Sequence, residues 1–164
     1  MRIGHANIDV LALDHTAIAV EDIERGLALY RDLLGGDIVR HKEHADRGFG
    51  VALVRYPNGA MIELIEPIGP GFVRTFLDKR GEGVHHITFL VRDIHAAVQA
   101  AIGAGLRVVD ERYDHPGWQE AFISPRSAFG TLVQLAQTDG ASIDEIRHTP
   151  EQLAEVAHRR RSRR

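Results

Sequence analysis

Apolar and polar positions follow one another along this chain in an order that occurs twice. In the first half, residues 13–20 form a short apolar and β-branched run that predicts a strand. Asp22 then has the character of a helix N-cap, and a helix is predicted to run from it to Gly35-Gly36. Its apolar positions recur at helical spacing: Ile23, Leu27, Tyr30 and Leu34. Strands are predicted at 37–43, 49–56 and 60–66, with a hairpin turn at 57–59.

The second half repeats this order. Residues 84–91 predict a strand, and Asp93 caps a helix that ends near Gly103 or Gly105. Three more strands are predicted at 107–112, 119–124 and 130–137. A Gly/Pro-rich connection separates the halves, and its middle, residues 72–79, favours a short helix.

The two halves align at a constant offset of 71 positions. His15 then falls on His86 and Asp22 on Asp93 near the start of each half, while Glu63 falls on Gln134 near the end. Two matches at one offset indicate a duplicated module. The sequence therefore predicts an α+β fold of two tandem βαβββ modules, at about 11–67 and 83–137, within a domain spanning 1–137. Residues 138–164 are predicted to add a C-terminal helix, beginning at Thr149-Pro150, and an Arg-rich tail.

Composition narrows the class of protein. The 164 residues are 44% hydrophobic and 26% charged, typical of a globular protein, with a formal net charge of -3. This charge gives no bulk attraction to nucleic acid or to anionic membrane, and neither a signal peptide nor a membrane span is predicted. We expect a soluble, cytoplasmic protein. Because there is no cysteine, any metal must be held by nitrogen and oxygen ligands.

Four polar residues are candidates for one metal site. His15 and His86 lie early in the first strand of each half, and Glu63 and Gln134 lie in the last strand of each half, opposite apolar neighbours. Taken singly, a strand histidine is more often a hydrogen-bonded core or surface residue. If two half-barrels pair, however, the four supply two imidazoles, a carboxylate and an amide oxygen. That set suits Zn, Co, Ni, Mn or Fe(II). His85 should point the other way along its strand.

The sequence resembles the vicinal oxygen chelate superfamily and, within it, the methylmalonyl-CoA epimerases. The similar segments cover roughly residues 11–137 and read LDHTAIAVEDIERGLALYRDLLGG, IELIEPIG, FLDKRGEGVHHITFLVRDIHAAV and SPRSAFGTLVQLAQ. The resemblance implies the half-open metal-binding barrel of that superfamily, in a homodimer. It also implies that His15, Glu63, His86 and Gln134 fall at the four ligand positions.

Two positions depart from the epimerase pattern. Gln134 stands where the resemblance implies a glutamate, and about Val51 stands where it implies a second carboxylate. Because Glu63 occupies the equivalent position in the other module, we assign it both as a ligand and as the catalytic base. The second proton carrier stays open among Glu120, Glu43 and His44. Counting along the strand predicts that Gln119, and not Glu120, faces the barrel interior.

The resemblance implies a divalent-metal-dependent isomerase that removes an acidic α-proton from an acyl-CoA thioester while the metal stabilises the enolate. The departures favour an alternative, a glyoxalase-like lyase or isomerase, or another enzyme of the superfamily, acting on a substrate without coenzyme A. An extradiol dioxygenase is a weaker alternative, and so is a small-molecule binding protein without activity.

Overall fold

A computed structural model describes residues 7–115 and 117–139 of the chain. Within this part the chain forms two compact units. The first unit comprises residues 16–85, and the second comprises residues 7–15 together with 86–139. The predicted C-terminal helix and the Arg-rich tail lie outside the described residues. Across the described residues, no helix has the length and apolar character needed to cross a membrane.

The order of elements confirms the predicted duplication. The first module contains β1 (Val10–Ala19), α1 (Ile23–Leu27), β2 (Asp37–His44), β3 (Phe49–Arg55) and β4 (Met61–Pro67). Helix α2 (Phe72–Arg80) follows in the connection, as predicted. The second module contains β5 (Gly83–Val91), α3 (Ile94–Gly103), β6 (Val108–Arg112), β7 (Trp118–Ile123) and β8 (Leu132–Thr138).

Strand pairing is the same in each unit. In the first, β2 pairs antiparallel with β3, β3 pairs antiparallel with β4, and β4 pairs parallel with β1. In the second, β6, β7, β8 and β5 pair in the same way. Both modules therefore have the predicted βαβββ topology, which confirms the fold class.

The helix of the first module departs from a regular α-helix. After α1, the backbone continues as a π-helical segment at Ala28–Leu33. The helical run stops before Gly35-Gly36, as predicted. A side chain on Gly36 is sterically excluded, because its Cβ would lie 2.2 Å from the Val54 side chain. Tyr56 reinforces this end, since its hydroxyl donates to the Tyr30 carbonyl at 2.9 Å.

Each helix is also held at its start by the last strand of its own module. In the first unit, the backbone N–H of Ile23 donates to Oε2 of Glu66 at 2.8 Å. In the second unit, the backbone N–H of Ile94 donates to Oε1 of Gln137 at 2.8 Å. The two pairs are related by the offset of 71 positions, so the duplication extends to individual hydrogen bonds. Because the first N–H groups of a helix have no partner within it, these acceptors stabilise the helix starts.

The cores lie between the strands and the helices of each unit. In the first unit, β3 is buried on both faces and contributes to two clusters. One cluster includes α2 and contains Ala19, Phe49, Val51, Ile65, Val73 and Leu77. The other includes α1 and contains Val20, Ile23, Leu27, Ala52, Val54 and Leu64. The core of the second unit packs α3 on the sheet, with Val91, Ile94, Ala97, Val98, Ala101, Ala121, Ile123 and Leu135.

Candidate metal centre

Strand β1 contributes a carboxylate and an imidazole in direct contact. Asp14 and His15 are both buried, each with 5% of its surface exposed. Nδ1 of His15 lies 2.6 Å from Oδ2 of Asp14. Oδ1 of Asp14 is also buried and has no hydrogen-bond partner among the described residues. A carboxylate at one ring nitrogen fixes the orientation of an imidazole and directs its other nitrogen to a second partner, as in many metal sites.

Strand β5 contributes His86 and Thr88, which are two positions apart and therefore share a face. The buried ring of His86 lies edge-on to that of His15, with the ring centroids 5.6 Å apart, and it also contacts Phe122. The hydroxyl oxygen of Thr88 lies 3.0 Å from Nε2 of His15. The structure thus brings both predicted histidine ligands together within the second unit.

Strand β8 brings Gln134 to the same place. Gln134 lies directly opposite Thr88 in the parallel β5–β8 pair. The Thr88 hydroxyl donates to Oε1 of Gln134 at 2.6 Å. The Thr88 hydroxyl therefore contacts both Nε2 of His15 and Oε1 of Gln134. Both residues were predicted to be metal ligands.

Strand β7 adds a buried carboxylate. Oε2 of Glu120 accepts hydrogen bonds from Nε2 of Gln134 at 2.7 Å and from Nε1 of Trp118 at 2.9 Å. The prediction that Gln119, and not Glu120, faces the interior was wrong. The reason is the register, which pairs Phe122 with Gln134, so that Glu120, two residues before Phe122, shares the face of Gln134. Gln119 instead donates to the Tyr113 carbonyl.

Glu63, the remaining predicted ligand, belongs to β4 of the first unit. It pairs with Leu53 across the β3–β4 hairpin. The negative charge of Glu63 acts on His85, whose ring packs against Phe72 and Phe76. Burial lowers the pKa of His85 from 6.5 to about 4, although the Glu63 carboxylate opposes the shift. His85 is therefore a neutral packing residue on the face opposite His86, as predicted. The place of Glu63 in a four-ligand site stays a prediction.

The other positions considered for a proton carrier have different surroundings. Val51, at the expected carboxylate position, is buried in the first-unit core. Glu43 is exposed on β2, which pairs antiparallel with β3. His44 is half-buried and stacks on Phe49, with ring centroids 4.7 Å apart. Of the three candidates, Glu120 contacts a predicted metal ligand, since it accepts a hydrogen bond from Gln134 at 2.7 Å.

The donor atoms in the second unit fit a divalent metal. Two imidazoles and one amide oxygen are buried together, and each is held by a hydrogen bond or a ring contact. Nitrogen and oxygen donors of this kind bind Zn, Co, Ni, Mn and Fe(II). The carboxylate on Nδ1 of His15 is the support that such a histidine ligand commonly has.

Comparison with known proteins identifies the family of this chain. Residues 14–122 match the sequence profile of the Glyoxalase/Bleomycin resistance protein/Dioxygenase superfamily. The chain belongs to this superfamily. The ethylmalonyl-CoA/methylmalonyl-CoA epimerase of Cereibacter sphaeroides is 37% identical over 130 residues, which are 76% of this chain and 96% of that protein.

Two further proteins are similar to this chain. The mitochondrial methylmalonyl-CoA epimerase of Homo sapiens is 33% identical over 129 residues, covering 76% of this chain and 73% of that protein. The crystal structure of methylmalonyl-CoA epimerase from Mycobacterium tuberculosis has a TM-score of 0.73 and 32% identity, covering 81% of this chain and 91% of that chain.

Some residues that support the candidate site were not predicted from the sequence. The supporting contacts of Asp14, Thr88 and Trp118 were missed. Thr88 could have been found, because it is polar and lies two positions after His86 on the same strand face. Trp118 could not, because its contact with Glu120 depends on the register of β7.

Proposed function

We propose that this chain is a divalent-metal-dependent isomerase of the methylmalonyl-CoA epimerase type, acting on an acyl-CoA thioester. One observation carries the proposal. His15, Thr88 and Gln134 form a continuous buried series of contacts, next to His86, in a member of the superfamily. Its similarity to proteins named as methylmalonyl-CoA epimerases supports the reaction and the substrate class.

In this proposal His15, His86 and Gln134 hold the metal together with Glu63, which completes the set expected from the sequence. One divalent ion per chain, of the group Co, Zn, Ni, Mn and Fe, would polarise the thioester carbonyl and lower the energy of an enolate. Glu63 is the only carboxylate among the four, so it is also the proposed base.

The reaction begins when the carboxylate of Glu63 accepts the α-proton of the substrate. The electron pair of the broken C–H bond moves toward the thioester carbonyl, which becomes an enolate. A second proton carrier delivers a proton to the opposite face of the α-carbon and inverts its configuration. Glu63 then returns its proton to water, and the second carrier regains one from water. Proton removal by a positioned carboxylate contributes about 10²–10⁴-fold to the rate of such reactions.

The test is the exchange of the α-proton of methylmalonyl-CoA in heavy water, followed by proton NMR with Co(II)-loaded protein. Wild-type protein should exchange the proton rapidly, and Glu63→Ala should abolish exchange. The matched variant Glu63→Gln keeps an oxygen donor but cannot accept a proton. It should therefore retain Co(II) while losing at least about 10²-fold in exchange rate.

The Gln134 and Val51 departures favour one alternative, a glyoxalase-like lyase or isomerase acting on a substrate without coenzyme A. Wild-type protein that binds one Co(II) per chain but gives no exchange would reject the thioester substrate. An assay with the hemithioacetal of an α-ketoaldehyde would then test the alternative. Protein that retains no stoichiometric metal would instead favour a binding protein without metal chemistry.

We further propose that residues 1–137 form the catalytic domain and that the protein is a homodimer. Light scattering coupled to size-exclusion chromatography measures the mass of the protein in solution and therefore tests the homodimer. A mass of one chain at assay concentration would overturn it.

A further inference from the structure

Gln134 is an unusual ligand because the two ends of its amide are chemically different. Oε1 has lone pairs for a metal, whereas Nε2 only donates hydrogen bonds. A rotation of half a turn exchanges the two ends with little change in shape. A glutamine can therefore serve as a ligand reliably only if its neighbours determine which end faces the metal.

In the second unit the neighbours do this from both sides. Nε2 donates to Oε2 of Glu120 at 2.7 Å, and Oε1 accepts from Thr88 at 2.6 Å. An ionised carboxylate only accepts hydrogen bonds, so the reversed amide would place Oε1 against another acceptor. Trp118, a donor only, holds the same carboxylate oxygen at 2.9 Å. Burial strengthens these preferences, since only 5% of the surface of each of Glu120 and Gln134 is exposed.

The first module provides an internal comparison. Across the β3–β4 hairpin, Val51 pairs with Ile65 and Leu53 pairs with Glu63. Across the β7–β8 hairpin, Glu120 pairs with Ala136 and Phe122 pairs with Gln134. Glu120 therefore stands to Gln134 as Val51 stands to Glu63. The two oxygens of a carboxylate ligand are equivalent and need no such neighbour. In the second module, where the predicted ligand is the amide of Gln134, this neighbouring position holds Glu120. In the first module, where the predicted ligand is the carboxylate of Glu63, it holds Val51.

From these contacts we infer that Glu120 is a positioning residue, which fixes the amide of Gln134 so that Oε1 is presented to a divalent metal. The inference rests on the proposed function, because it takes Gln134 to be a ligand. Glu120 acts through its hydrogen bond to Nε2 and contributes no ligand of its own. Loss of such supporting partners typically weakens metal binding about 10–100-fold.

The experiment is a set of Co(II) affinities, measured by competition with a chromogenic chelator, in two backgrounds. With Gln134 present, Glu120→Leu should weaken binding about 10–100-fold. Glu120→Gln, which keeps an oxygen acceptor, should weaken it less. With Gln134→Glu present, Glu120→Leu should weaken binding much less, because the two oxygens of a carboxylate ligand are equivalent and need no orienting neighbour. A residue that only maintained the fold would have the same effect in both backgrounds.

The inference is overturned if Glu120→Leu leaves the affinity unchanged with Gln134 present, or if it weakens binding equally in both backgrounds. The melting temperature of each metal-free variant reports folding. If Glu120→Leu does not fold, the effect of Glu120→Gln is compared between the same two backgrounds. Failure of the proposed site is a separate result: wild-type protein would bind no stoichiometric Co(II), or Gln134→Ala would leave its affinity unchanged.

Discussion

Thr88 and Gln134 face each other on two parallel strands, and the hydroxyl of Thr88 donates to the amide oxygen of Gln134 at 2.6 Å. The same hydroxyl oxygen lies 3.0 Å from Nε2 of His15. Thr88 has no exposed surface, so water cannot replace its hydroxyl without rearrangement. One small side chain thus sets the spacing of two proposed ligands.

Replacing Thr88 with valine keeps the shape of the side chain but removes this hydroxyl. We expect Co(II) affinity to fall at least about 10-fold, because the hydrogen bond that holds Oε1 of Gln134 is lost. Thr88→Ser is the matched control, since it retains the hydroxyl, and its affinity should stay close to wild type. Equal losses in the two variants would show that the methyl group, and not the hydroxyl, matters.

Asp14 should support His15 electrostatically. Asp14→Asn retains an acceptor for Nδ1 but removes the charge, so we expect Co(II) affinity to fall about 10–100-fold. The control is Asp9→Asn, which neutralises an exposed aspartate paired with Arg92 in the same unit. Competition with a chelator measures both variants. Unchanged affinity in Asp14→Asn would contradict a supporting role for the carboxylate.

His85 should make the protein less stable in mild acid. Its pKa is lowered from 6.5 to about 4 by burial, so between these values the unfolded chain binds a proton that the folded chain does not. The free energy of unfolding should therefore fall as the pH decreases from about 6.5 to about 4, by up to roughly 3 kcal/mol.

The measurement is urea denaturation of metal-free protein at several pH values. His85→Phe should lose this part of the pH dependence, because phenylalanine packs against Phe72 and Phe76 without titrating. Wild type and His85→Phe are measured over the same pH range, and the difference between their curves isolates the contribution of His85. Parallel curves for wild type and His85→Phe would rule out the effect.

The acceptors at the helix starts should tolerate exchange between acid and amide. Glu66→Gln and Gln137→Glu each keep an oxygen for the backbone N–H of Ile23 or Ile94, so we expect changes below about 1 kcal/mol. Glu66→Leu and Gln137→Leu leave that N–H without its acceptor and should cost about 1–3 kcal/mol in unfolding free energy. Denaturant titration measures the unfolding free energies of the conservative and the leucine variants. Similar losses for the leucine and the conservative variants would mean that packing, and not the hydrogen bond, holds the helix.

Much of the fold could be predicted because it is encoded locally. The N-caps at Asp22 and Asp93 are confirmed, with each side chain accepting from backbone N–H groups of the helix that follows. The hairpin turn at 57–59 is confirmed as well, since the N–H of Tyr56 donates to the Ala60 carbonyl and Gly59 has a φ of 83°. These features depend on a few neighbouring residues, and the sequence displays them directly.

The contacts that could not be predicted depend on register. The orientation of Glu120 follows from which residue of β8 faces Phe122, and a strand sequence alone does not specify that pairing. The π-helical continuation of α1 was also missed, because its residues Ala28–Leu33 suit an ordinary α-helix. His15, His86 and Gln134 could be grouped beforehand because the repeat placed them at corresponding positions.

The repeat has kept its acceptor positions while changing their charge. Glu63 and Glu66 of the first module correspond to Gln134 and Gln137 of the second. A protein assembled from two identical single-module chains would be obliged to carry two acids or two amides at each of these positions. Fusion of the modules into one gene lifts that restriction, so a single point mutation can alter one copy and spare the other. A chain with two fused modules can therefore carry an odd number of charges at equivalent positions, which a pair of identical chains cannot.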